Sequence, residues 1–178
     1  MASSAPALAR PAADEFSAYY TPYVARVPDG DLLATLGAQL GETIALLRGI
    51  TPERSLHRYA PGKWSMRDVV QHLCDAERIF AYRALRIARG DETPLPGWDE
   101  NRYAPVAGAD RRPWPELIAE LEAVRAATLA LFRGLDAEAF ARRGVANAQP
   151  VTVRALAWII TGHERHHVAV LRERYLDS

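Results

Sequence analysis

The sequence predicts an all-α protein built as a four-helix bundle. Apolar residues recur at helical spacing in four long segments. Connections rich in Pro, Gly and charged residues separate those segments, and no stretch alternates convincingly like a strand. Four amphipathic helices bury their stripes only by packing on one another.

The first helix is expected from about Asp31 to Arg48, with Leu33, Leu36, Leu40, Ile44 and Leu47 on one stripe. The second runs from about Met66 to Arg89, with Val69, Leu73, Ala76, Phe80 and Ile87 facing inward. Ser65 followed by Asp68 is a capping-box pattern at its start, and Gly90 ends it. The third runs from about Pro113 to Arg133. Pro113 and Pro115 suit a first turn, where the missing amide hydrogens would have no intrahelical partner. The fourth runs from about Val153 to Tyr175, with Thr152 as its N-cap. A short helical piece is expected near Asp136–Arg142. The longest connection, about Gly90 to Arg112, carries Trp98 and Tyr103 and is expected to be a crossover or part of a site.

At 178 residues the chain is expected to form one domain, residues 29–178, preceded by a flexible tail and lead-in over residues 1–28. The formal net charge is zero, so no global field favours nucleic acid or an anionic membrane. One cysteine, Cys74, excludes an internal disulfide framework and makes a cytoplasmic location the expectation. The N-terminal segment lacks the basic start and apolar run of a signal peptide, and no apolar run is long enough to span a bilayer.

The chemistry concentrates in His163-Glu164-Arg165-His166-His167, an H-E-x-x-H sequence. At ~100° per residue, His163 and His167 point to the apolar side of the fourth helix, one turn apart with Cβ atoms ~5–6 Å from each other. Two inward imidazoles at that spacing are placed to grip a metal ion. The zinc-protease reading requires a downstream third ligand. The extended pattern would put Gly at 170 and His at 173, where this chain has Val170 and Glu173. The third ligand therefore comes from upstream. His72 lies at the edge of the second helix's apolar face, and it comes level with His163 and His167 if the second and fourth helices are antiparallel. That arrangement makes the second and third helices parallel, joined by the long connection. Three imidazoles leave coordination positions open, as catalytic sites do.

Two stretches resemble the DinB/YfiT-like family of metal-binding four-helix bundles: YAPGKWSMRDVVQHLCDAERIFAYRALRIARGDETPLPGWDENRY and VTVRALAWIITGHERHHVAVLRERY. The first resembles the family's Trp-Ser before a His-Leu-x-Asp-x-Glu-Arg helix, the second its closing His-x-x-x-His. The resemblance implies an up-down-down-up helix order and a homodimer. It also implies one divalent ion per chain, zinc or nickel, on His72, His163 and His167. Characterised members include thiol S-transferases, so it further implies a low-molecular-weight thiol and an electrophile as substrates; it does not imply DNA binding, and no nucleic-acid or membrane partner is expected. The expected function is thus metal-dependent thiol transfer. A non-catalytic metal-binding or stress-associated protein and a metal-dependent hydrolase are the alternatives. Glu164 is a candidate supporting group or base acting through water. Arg83, on an inward face in line with His72, is a candidate for a substrate carboxylate or an internal acid.

Overall fold

The computed structural model describes residues 8–176. Four long helices form the bundle: α1 Leu32–Arg48, α2 Met66–Ala88, α3 Trp114–Arg133 and α4 Val153–Val170. Their starts are where short polar side chains can satisfy free amides. The Asp31 carboxylate accepts from Ala34 N, Ser65 and Asp68 form the reciprocal box, and Thr152 accepts from Ala155 N. After Val170 the chain widens into a π-helical turn, Leu171–Leu176.

Side-chain contacts fix the helix directions. Trp114 Nε1 donates to the Leu47 carbonyl (3.2 Å) and Arg125 to the Leu36 carbonyl (2.9 Å), so α1 and α3 are antiparallel. Arg112, just before α3, donates to Gln71 (2.6 Å) and Arg125 to Glu77 (2.8 Å), so α2 and α3 run the same way. Tyr175 donates to the Trp64 carbonyl (2.8 Å), while Phe80 packs 6.0 Å from the His163 ring, so α2 and α4 are antiparallel. The order is up-down-down-up. The crossover between α2 and α3 contains a helix, Glu100–Ala107, capped by Asp99, and a single turn at Ala109–Arg111.

The apolar core falls into two clusters. One end holds Leu36, Phe80, Ile87, Phe132, Leu156 and Ile159; the other holds Leu47, Met66, Val70, Leu117, Leu121 and Leu171. Between them runs a buried polar layer of Gln39, Thr43, His72, Glu77, Arg125, Thr128, Thr161, His163 and Glu164. Arg125, fully buried, lies at its centre. Its guanidinium bonds both oxygens of Glu77 at 2.8 Å, Glu164 at 2.8 Å and the Leu36 carbonyl. Burial opposes the charge, but Glu164 and Glu77 outweigh it and hold Arg125 protonated.

Two features depart from the sequence expectation. A two-stranded antiparallel hairpin, β1 Arg143–Ala146 and β2 Gln149–Thr152, precedes α4, and its tip bridges to Leu95 in the crossover. Asn147 and Ala148 form the turn with φ of 52° and 57°, the two-residue geometry that matches strand twist. The strands are only four residues long, and Pro150 stands in the second, so periodicity does not mark them.

The second concerns the lead-in. Residues 1–7 of the expected tail lie outside the described residues, whereas residues 8–28 fold onto the bundle. Arg10 sits 4.6 Å over the Trp158 ring, Trp158 donates to the Leu8 carbonyl, and buried Glu15 accepts from Thr152. The expected helical piece near Asp136–Arg142 is present as Ala137–Ala141. No helix of the described residues is long and apolar enough to cross a membrane.

Arg125→Ala strands Glu77 and Glu164 as unpaired buried carboxylates and is expected to cost about 3–5 kcal/mol of stability. Urea denaturation checks this; a loss below about 1 kcal/mol, the scale of an exposed pair, would show that the ion-paired layer is not holding the bundle.

Candidate metal centre

His72 from α2 and His163 and His167 from α4 come together at one height of the bundle. Their nitrogens all lie within 4.8 Å of one another. His72 Nε2 is 3.0 Å from His163 Nε2, and His167 Nε2 is 3.1 Å from the same atom. The antiparallel course of α2 and α4 makes this possible, because it brings the second turn of α2 level with the last turns of α4.

These contacts do not work as hydrogen bonds alone. A neutral imidazole nitrogen offers one in-plane site, either a proton or a lone pair. His163 Nε2 faces two other Nε2 atoms and can serve only one of them. A cation satisfies all three at once. Nitrogens sharing a tetrahedral ion at ~2.0–2.1 Å lie roughly 3.3 Å apart, close to the two spacings at His163. The protonation states also suit. Burial pushes His72 down to about 4, with His166 adding to the effect. Burial and the neighbouring imidazoles push His163 and His167 well below the usual range. All three are therefore neutral near pH 7, with lone pairs available.

The trio opens into a cavity of about 270 Å³. Its walls are aromatic. The Trp98 ring stacks on His72 at 5.7 Å and 22°, Trp64 lies 4.9 Å from the same ring, and Tyr23 meets His163 edge-on at 5.4 Å. Trp64, half-buried, is thus part of the cavity wall. Trp98 and Asn101 of the crossover line the mouth, while Asp99 caps the crossover helix. The hairpin tip contributes Asn147 and Gln149, and the lead-in contributes Tyr19, Tyr20 and Tyr23.

Sequence reasoning did not find the lead-in or hairpin residues, because their approach is tertiary. One local signal existed: Gly162, beside His163. A Cβ there would lie 2.0 Å from the Tyr23 carbonyl oxygen, so only glycine lets the Thr21–Val24 turn seat against α4.

Arg83 also lines this cavity. Glu164 does not. One oxygen accepts from Thr43 (2.6 Å), the other from Gln39 and Arg125, on the side of α4 turned to α1 and α3. The structure does not bring it to the imidazoles, so a role as base through water has no geometric support. Asp75 pairs with Gln71 and Arg78. His166 packs 5.1 Å from Tyr23, outside the trio. Cys74 is buried, and burial pushes its thiol upward, so it is inert.

A family model described as the DinB superfamily matches residues 35–171. In sequence the chain is similar to a protein of Oceanobacillus iheyensis named as a provisional metal-dependent hydrolase, with 25% identity over 142 residues, 79% of each chain. In fold it is similar to YfiT from Bacillus subtilis, described as a probable metal-dependent hydrolase with an unusual four-helix bundle topology. That match has a TM-score of 0.68 and 20% identity and covers 93% of this chain and 91% of the other.

Gly162→Ala forces the Tyr23 turn off α4 and is expected to destabilise by about 1–3 kcal/mol, the usual range for overpacking. It should also raise protease sensitivity around residues 21–24. Unchanged stability and unchanged cleavage would mean that this turn does not seat on Gly162 in solution.

Proposed function

The chain belongs to the DinB superfamily, and on that footing we propose that it is a metal-dependent enzyme that transfers a low-molecular-weight thiol to an electrophile. The observation that carries the reading is the convergence of three neutral imidazole nitrogens on one point at an open cavity. His72, His163 and His167 would hold one divalent cation, zinc or nickel. Both ions accept imidazole ligands. When bound, such a cation supplies Lewis acidity, which favours the deprotonated form of a thiol or of water at neutral pH.

The protein's own residues position and shield. Trp64 and Trp98 pack on His72 and keep its ring aimed into the cavity. The tyrosines of the lead-in and the Phe80 ring make an apolar wall that excludes water from the reacting atoms. In the transfer step a sulfur–carbon bond forms at the electrophile as the leaving group departs with its electron pair. The thiol proton passes to solvent through the mouth. The nucleophile arrives with the cosubstrate, so the inert Cys74 is not needed.

The position of Glu164 supports thiol transfer over hydrolysis. A hydrolase built on H-E-x-x-H uses that glutamate as base for water, and here it is turned away and committed to Arg125. Hydrolysis remains the second reading, because the similar proteins are described as metal-dependent hydrolases. Glu100, which lines the cavity, is the carboxylate it would use.

Metal-stripped protein is expected to take up one equivalent of zinc or nickel by elemental analysis. His163→Ala should weaken uptake by more than roughly 100-fold, since outer-shell partners alone are worth about 10–100-fold. Metal-loaded protein should then conjugate one member of a thiol panel to a chloronitroaromatic. Ester turnover without thiol would replace transfer by hydrolysis. Uptake with neither activity would leave a binding protein.

A further inference from the structure

Among the described residues three arginines are buried, and two are fully accounted for within the fold. Arg125 holds two carboxylates and a carbonyl. Arg67 donates to the Ser55 hydroxyl and to the carbonyls of Pro52, Asp110 and Arg112. Arg83 is different. It is 3% exposed, its guanidinium carbon lies 5.8 Å from the Phe80 ring centroid, and it donates to the Pro96 carbonyl at 2.7 Å. The Tyr20 hydroxyl is its other neighbour. A guanidinium carries five N–H donors. Among the described residues, Arg83 forms no ion pair. Glu100 lines the same cavity without reaching it. Among the described residues two buried guanidiniums thus lack a carboxylate: Arg67 is held by a hydroxyl and three carbonyls, whereas Arg83, with the Pro96 carbonyl and the Tyr20 hydroxyl, is the one that faces the candidate active site.

A buried guanidinium strongly favours an anion that can use its fork. The surroundings select what that anion is attached to. The cavity, about 270 Å³, is at the small end of the ~300–1,000 Å³ typical of ligand sites. Tyr20, Tyr23, Phe80 and Trp98 line it with rings. Phe80 neighbours both polar centres, 6.0 Å from the His163 ring and 5.8 Å from the Arg83 guanidinium. Arg83, Phe80 and His163 all line the cavity, so a molecule reaching from one polar centre to the other passes the Phe80 ring.

We propose that Arg83 is the anion-recognition residue of this cavity and that the substrate is a small, flat molecule bearing a carboxylate. The carboxylate sits on Arg83, the body lies along Phe80, and the opposite end points at the imidazole trio. Only the last clause rests on the metal-centre reading. The anion site itself does not.

The test is fluorine NMR on the full chain, zinc-free and zinc-loaded, with 4-fluorobenzoate and its neutral isostere 4-fluorobenzamide as probes. Zinc-free wild type is expected to bind the benzoate at least tenfold more tightly than the benzamide. Arg83→Met should lose at least tenfold for the benzoate only, and Arg83→Lys should recover part of it. Circular dichroism checks that the variants fold, and the benzamide comparison needs no variant. Equal affinity for the two probes, no binding of either, or benzoate binding that requires zinc and ignores Arg83→Met would each overturn the assignment. Failure to load zinc with benzoate recognition intact would sink the metal-centre reading and leave the anion site standing.

Discussion

One guanidinium sets the geometry on which the rest depends. Arg125 reaches from α3 to Glu77 on α2 and to Glu164 on α4, and it also holds the Leu36 carbonyl of α1. The two helices it clamps carry the histidines. Glu77 is just over one turn from His72, and Glu164 is next to His163. A slip of either helix by one turn, ~5.4 Å, would break the clamp and part the imidazoles together. A buried ion pair is a weak source of net stability compared with apolar packing, yet it is costly to break and so specifies register. Here the specified register is the one that aligns three nitrogens.

The long connections make sense in the same frame. Holding some two dozen crossover residues, a hairpin and an N-terminal strap in fixed conformations costs backbone entropy, roughly 1–2 kcal/mol per residue. These segments do not wander over the surface. The crossover brings Trp98 onto His72, the hairpin tip brings Asn147, and the strap brings Tyr20 and Tyr23, all to one mouth. Each adds apolar surface around imidazoles that the bundle alone would leave open to water. The same enclosure keeps the histidines neutral and leaves Arg83 in need of a partner.

The four helices and their order were legible because the helical period is long and repeated and the caps are chemically explicit. The trio was legible because angle and depth along two helices are enough to predict a meeting, given their directions. The hairpin was not: four-residue strands carry too little periodicity, and Asn147-Ala148 lacks the glycine that usually announces such a turn. The ion-paired setting of Glu164 was not legible for a different reason. Its angle placed it off the apolar centre of α4, a solvent-facing shoulder for a helix with one packed side. In this bundle α1 and α3 supply its partners, so an off-centre carboxylate is 2% exposed and ion-paired. Gly162 hints locally at a close approach to α4, but that Tyr23, 139 positions away, makes it could not be read from local pattern.

The central claim is that the three imidazoles share one cation. X-ray absorption at the zinc edge of the zinc-loaded full chain tests it directly. The account predicts a first shell near 2.0 Å containing three imidazole nitrogens, with the outer-ring scattering that identifies them, plus one or two lighter exchangeable ligands. A first shell of oxygens, or one containing a single imidazole, would contradict it.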